Sequence, residues 1–230
     1  MPPLPAPPPG ARRVAVGPDR LARWIDGFAT RHGGLAVERS DAAVLLTGPD
    51  GARAWIEVPF PPWDPAPPDA ALGDGVRELA YDPLDDLVAH VRRPRRIGVL
   101  LVRRGGHASG VFDGPQLIAS KVGARYVQGT TKAGGWSQQR YARRRANQSR
   151  AAFADAADEA ARIVAPFAPT LDAVVVGGDR AGVDAVLADP RLAALRALVV
   201  GPLLGVAEPR QRVLEAAPEL FLAVRIALDP

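Results

Sequence analysis

The 24 prolines and 23 glycines of this 230-residue chain cut it into short pieces. The longest piece left whole begins at Ser137, after which no glycine or proline occurs before Pro166, and alanine is frequent. A stretch without breakers and rich in strong helix formers predicts one long helix over 137–167. At ~1.5 Å rise per residue such a helix extends about 45 Å. Its later apolar positions, Phe153, Ala156, Ala157, Ala160, Ile163, Val164 and Phe167, recur every three to four residues and predict a core-facing stripe. Arg140, Arg143, Arg144, Asn147 and Arg150 mark a different stripe, so only the second half is built to pack on a sheet.

The remaining pieces read as short elements. Six prolines among the first nine residues exclude a helix or a central strand, and predict a disordered proline-rich tail over 1–13. Leu21, Trp24, Ile25 and Phe28 give helical spacing over 18–32, stopped by Gly33-Gly34; 35–39, 42–47 and 53–58 read as strands separated by turn residues. A proline-rich connection over 59–68, with Phe60 and Trp63 between the prolines, leads to a helix over 83–91. Beyond it, 97–103, 107–113 and 116–121 predict three antiparallel strands, with 125–128 as a candidate fourth. After the long helix come a buried-type strand at 171–176, a helix at 179–187, a strand at 197–200, a helix at 209–216 and a final helix or strand at 220–227. Strands alternating with helices imply parallel neighbours. The expected organisation is a small α+β accessory domain over 14–94 and an α/β domain over 95–230 with a mixed sheet and flanking helices.

Composition narrows the chemistry. No cysteine is present, which removes disulfides, thiol nucleophiles and Cys-ligated metals, and the three histidines, His32, His90 and His107, are too scattered for a zinc site. No metal and no cofactor is expected. No apolar run approaches the ~18 residues that span a bilayer, and the first residues lack the order of a signal peptide, so a cytoplasmic protein without a membrane partner is expected. Charge is unevenly placed. Residues 114–154 carry eight basic residues (Lys121, Arg125, Lys132, Arg140, Arg143, Arg144, Arg145 and Arg150) and no acidic one, while the rest of the chain is net acidic. Solvated faces usually mix signs, whereas a one-signed segment suits a polyanion, because Arg contacts to phosphates release condensed counterions.

Within that segment lies Gly134-Gly135-Trp136-Ser137-Gln138-Gln139-Arg140-Tyr141, ahead of Ala142-Arg143-Arg144-Arg145-Ala146-Asn147-Gln148. Adjacent glycines allow positive φ and close backbone approach, and Ser137 is a helix-capping residue type. Taken alone, a glycine turn before a cap is commonly structural. The glutamine pair, the flanking cations and the lack of any carboxylate make a mere turn a poor account of this one.

The run from Lys132 to Gln148 resembles the catalytic-loop region of the actinobacterial-type members of the Vms-like release factor family. These are peptidyl-tRNA hydrolases similar in fold to the middle domain of eukaryotic and archaeal class I peptide-chain release factors, an RNase-H-like mixed sheet. The resemblance is specific over 126–148 and extends as element order over about 95–228. It implies that a loop carries Gly-Gly-Gln, or the variant Gly-x-Ser-Gln, into the peptidyl transferase centre of the large ribosomal subunit. There the glutamine positions water on the ester between nascent peptide and tRNA. Gly135, Ser137 and Gln138 match Gly-x-Ser-Gln, while Gly135, Ser137, Gln139, Arg140 and Tyr141 match the related Gly-x-Ser-x-Gln-Arg-aromatic pattern, so both glutamines are candidates and Gly134 belongs to the same loop. Lys132, Arg140, Arg143, Arg144, Arg145 and Arg150 become candidate contacts to rRNA or tRNA phosphates. The implied partners are the ribosome and peptidyl-tRNA, in ribosome rescue or quality control.

An amide is neither acid nor base at neutral pH. A glutamine therefore acts by orienting water and hydrogen-bonding to developing charge, and needs an already activated substrate such as an aminoacyl ester. Two rival chemistries are weaker. Gly177-Gly178 with Gly182, between a strand and a helix, lacks the spacing of a dinucleotide or P-loop fingerprint. Asp172, Asp179 and Asp184 would be the carboxylates of a metal-dependent nuclease, without metal-site spacing. His107 reads as a solvent-facing or hairpin-packing residue, and Trp24 and Trp55 as core. The two readings left standing are a ribosome-dependent peptidyl-tRNA hydrolase and a non-catalytic RNA- or ribosome-binding protein of the same fold.

Overall fold

The computed structural model describes residues 4–63, 83–124 and 137–229; of 83, 124 and 137–147 the backbone alone is described. The chain divides into two compact units, the first made of Met1–Arg93 together with Leu222–Pro230, the second of Pro94–Phe221.

In the first unit an antiparallel sheet has the order β1-β9-β4-β3-β2, from Arg12–Val16 (β1), Ala36–Arg39 (β2), Ala43–Thr47 (β3), Arg53–Glu57 (β4) and Val224–Leu228 (β9). Helices Leu21–His32 (α1) and Pro83–Arg92 (α2) supply one core. In it Leu21, Ile25, Phe28, Leu87 and Val91 pack with Val44, Leu46, Ala54, Ile56, Val224 and Ile226. Trp24 is half-buried at the margin of this core and stacks on Phe28, ring centroids 5.8 Å apart. The α1 helix stops where expected: Gly33 takes φ 77°, and the N–H groups of Gly33 and Gly34 both donate to Ala29 O.

The second unit has a four-stranded sheet of order β7-β6-β5-β8, made of Arg96–Arg103 (β5), Gly106–Asp113 (β6), Gln116–Ala124 (β7) and Ala173–Gly178 (β8). The first three are antiparallel, and β8 runs parallel to β5. The long helix is present as Ser137–Ile163 (α3), followed by a 3-10 turn at Ala165–Thr170 and by Arg180–Leu187 (α4), Ala193–Ala197 (α5), Gln211–Glu215 (α6) and Pro218–Phe221 (α7). Ala156, Ala157, Ala160 and Val164 pack with Leu100, Val102, Val111, Val174 and Val176 of the sheet. On the opposite face Phe112 meets Phe221 edge-on at 5.5 Å, and Leu214 lies against Gly110. This is the mixed α/β architecture expected.

Three expectations are corrected. The last segment is a strand, and β9 pairs with β1 and β4, so it completes the first unit instead of belonging to a domain over 95–230. The expected strand at 197–200 shrinks to a single parallel bridge, Val174 to Val199, because Gly201 at φ 71° and Pro202, which has no N–H, end the pairing. The proline-rich tail is not loose over its described part, since β1 starts at Arg12 and Leu4 and Ala11 pack against Leu45, Trp55 and Ala227. The candidate strand 125–128 lies outside the described residues, as does the connection beyond Trp63.

Candidate catalytic loop and nucleic-acid interface

Antiparallel pairing of β6 with β7 carries the chain to Ala124, and the backbone is described again from Ser137 as α3. Gly134, Gly135 and Lys132 fall between these points, outside the described residues. Ser137, Gln138 and Gln139 form the first turn of α3, and Arg140, Arg143, Arg144 and Arg145 follow on the same helix. Arg150 is exposed. With 27 residues, α3 is about 40 Å long.

Its two halves differ in chemistry. Up to Arg150 the helix holds Arg140, Arg143, Arg144, Arg145 and Arg150 and no carboxylate, whereas the rest holds Asp155, Asp158, Glu159 and Arg162. Cations at a helix N-terminus oppose the macrodipole, by ~0.3–1 kcal/mol for each charge in the first turn. A sequence selected for helix stability would place acids there, so this arrangement points to a demand other than folding.

The body-side half is held firmly. Ala152, Ala156, Ala157 and Ala160 are buried, and their small side chains let α3 lie close on the sheet. Phe153 crosses α4 at Gly182, where an added Cβ would stand 3.0 Å from its ring. Asp158 accepts from Arg191 at 2.6 Å, and Arg191 also holds Asp189, whose carboxyl is drawn down to about 2 by the guanidinium hydrogen bonds. Beneath the helix, His107 Nε2 on β6 stands 3.3 Å from Glu159 Oε2, with the side chains 7% and 20% exposed. Among the described residues neither atom has a hydrogen-bond partner. Gly123, opposite His107 on β7, makes room for this ring, since a Cβ there would overlap Nε2. Nothing in the residue spacing announced this pair, because its members lie on a strand and a helix far apart in the chain.

The pair secures the base of α3. Replacing Glu159 by Ala takes the neighbouring carboxylate away from a buried imidazole nitrogen, and is expected to lower stability by about 1–3 kcal/mol. Glu159→Gln, which keeps a polar partner, is expected to lose less than half as much; thermal melts of both variants check this.

The rival sites do not assemble. Asp172 and Asp179 flank β8, about 23 Å apart along the strand. Asp172 Oδ2 accepts from the Arg96 N–H at 2.7 Å, and Asp179 faces Arg103 at 3.6 Å. Among the described residues no three metal-ligating side chains gather. Gly178 has φ 98°, and a Cβ on it would overlap Val102 O, so this glycine serves the passage from β8 to α4. No helix of the described residues is long and apolar enough to cross a membrane.

No curated protein matches the chain. Likeness to solved structures is distant: an archaeal protein at 18% identity, TM-score 0.39, covering 77% of this chain and 52% of that one. Another is an archaeal translation termination factor, aRF1, at 16% identity, TM-score 0.41, covering 89% of this chain and 62% of that one. The chain therefore spans less than two thirds of the length of either. The sequence profile of the actinobacteria/chloroflexi VLRF1 release factor matches residues 95–227. That match takes in more than half of the residues, including the whole of α3 and its approach, and the chain belongs to that release factor family.

Proposed function

We propose that this protein is a ribosome-dependent peptidyl-tRNA hydrolase that acts in the cytoplasm, in ribosome rescue or quality control. The observation that carries the reading is the pairing of Gln138 and Gln139, in the first turn of α3, with a helix half whose charges are all positive. Family membership supports it. In this reading α3 is a strut: its alanine-lined half rests on the sheet and its arginine-bearing half holds rRNA or tRNA phosphates at the base of the Gly134-Gly135 loop.

The chemistry asked of the chain is small. A water oxygen attacks the ester carbonyl, the bond to the tRNA ribose oxygen breaks, one of the water's protons passes to that oxygen and the other to solvent, and the peptide leaves as a carboxylate. One glutamine carboxamide orients the water and donates to the developing oxyanion, without accepting a proton itself. The ribosome and the tRNA supply the rest of the site.

Docking and chemistry separate by mutation. Changing Arg143, Arg144 and Arg145 to Glu is expected to weaken ribosome binding at least ten-fold and to flatten its dependence on salt. Sedimentation with ribosomes at several salt concentrations measures both; unchanged affinity would remove α3 as the docking surface. Peptide release from purified ribosome–nascent chain–tRNA complexes tests the catalytic half of the reading. Binding without release by the unmodified chain would leave a non-catalytic ribosome-binding protein.

A further inference from the structure

The outer face of the first unit's sheet, away from α1 and α2, breaks the rule that the solvent side of an antiparallel sheet is polar. Across β1, β9, β4, β3 and β2 the register sets Arg13, Ala227, Trp55, Leu45 and Glu38 in one row. Its middle three residues are apolar, and each is buried: Ala227 4%, Trp55 5% and Leu45 3% exposed. Among the described residues no helix packs on them. Their cover is the proline-rich segment 4–11, whose Leu4 and Ala11 pack on the three. Ala11 N–H donates to Pro8 O, and Gly10 at φ 86° makes the turn that folds the segment back from β1 over the sheet.

Trp55 Nε1–H donates to Pro5 O at 2.9 Å. The Arg53 guanidinium lies 5.0 Å from the ring centroid of Trp55 and is itself held by Asp229 at 3.0 Å. The match is chemical. An indole N–H only donates, and a prolyl residue, having no N–H, only accepts. Proline-rich segments also lose little conformational entropy on docking, and aromatic grooves exploit this. None of residues 4–11 is itself buried, although what they cover is, so the segment lies on the face as a strap and is not woven into the sheet.

We propose that this Trp55 face is a binding site for proline-rich segments, filled in cis by residues 4–11, and that it accepts such a segment from another protein when the strap lifts. The seat reads an acceptor carbonyl over Trp55 and apolar ring or side-chain surface over Leu45 and Ala227. Arg13 at one end of the row and Glu38 at the other give it a direction. The inference is independent of any hydrolytic activity.

The test uses the full chain carrying Leu4→Asp, which places a charge on the apolar row and loosens the strap, and a blocked peptide of residues 4–11. Binding is read by calorimetry and by the indole N–H resonance of Trp55, assigned from its loss in Trp55→Phe. The peptide is expected to bind the Leu4→Asp chain saturably and at least ten-fold more tightly than the unmodified chain. Adding Trp55→Phe, or replacing the peptide's prolines by alanine, is expected to cost at least five-fold. A cooperatively folded Leu4→Asp chain that ignores the peptide, or binds it equally well without the indole N–H, overturns the proposal. So does a concentration-dependent dimer in place of peptide binding, which would give the face to a second copy. Should Leu4→Asp not fold, the unmodified chain is titrated with millimolar peptide; a saturable shift of the Trp55 resonance supports the proposal, and none overturns it.

Discussion

Replacing Gln138 and Gln139 together by Ala is expected to bring peptide release from ribosome–nascent chain–tRNA complexes down to background, while ribosome affinity stays within about two-fold of the unmodified chain, because removal of one preorganised donor alone costs about 10²–10³ in rate. Single substitutions then assign the work, because the glutamine whose loss leaves release intact is the bystander. The Glu variants sharpen the result. Both positions lie in the first turn of α3, where a carboxylate is favourable to the helix dipole, so Gln138→Glu and Gln139→Glu should fold at least as well as the native chain. Each keeps the size of the side chain and loses the N–H donor. If the active position is replaced, release should fail with stability undiminished, a combination that an indirect effect on folding does not produce. Full release by the double Ala variant would end the assignment of catalysis to this loop.

Gly178→Ala is expected to damage the second unit severely. The backbone there has φ 98°, and the added Cβ would overlap Val102 O, while Asp179 N–H donates to that same oxygen at 2.8 Å, so the passage from β8 into α4 cannot open without breaking a bond. A residue forced into a glycine region costs ~1–3 kcal/mol and overpacking a similar amount, giving about 3 kcal/mol or more together. In a chain of this length that corresponds to a fall of about 6–12 °C in melting temperature. Gly201→Ala supplies the control. It has φ 71° but nothing within 4 Å of an added Cβ, and should cost only ~1–2 kcal/mol. Calorimetric melts distinguish the two. A mild effect at Gly178 would reopen the possibility that its freedom serves a ligand.

Much of the fold was legible because its signals are local. Absence of breakers after Ser137 announced α3, glycine pairs and turn residues marked the hairpins, and the apolar run of β8 announced a strand buried between neighbours. What was hidden depends on partners distant in sequence. The segment that becomes β9 fits helix or strand equally well, and only its register with β1 and β4 decides. The strand expected at 197–200 had the right residues and lost to Gly201-Pro202 immediately after it. The proline-rich segment was read as a tail because composition reports which hydrogen bonds a segment cannot make within itself; it is silent on the indole that accepts its company. For the candidate site, the sequence supplied the residue types and their place at the start of a helix. The placing of Arg140 in the first turn of α3, against the helix dipole, and the His107–Glu159 clasp beneath the helix required the element boundaries and the packing.

The position of β9 also orders events during synthesis. As the chain is made, β1 and the β4-β3-β2 group emerge early with no edge-to-edge link between them, because the strand that joins them is translated after all of Pro94–Phe221. The inserted unit has every one of its strands in hand before that point and can mature first. The first unit's sheet is thus the last to close, and damage confined to 224–228 would be felt far upstream, at β1 and β4, which were made long before it.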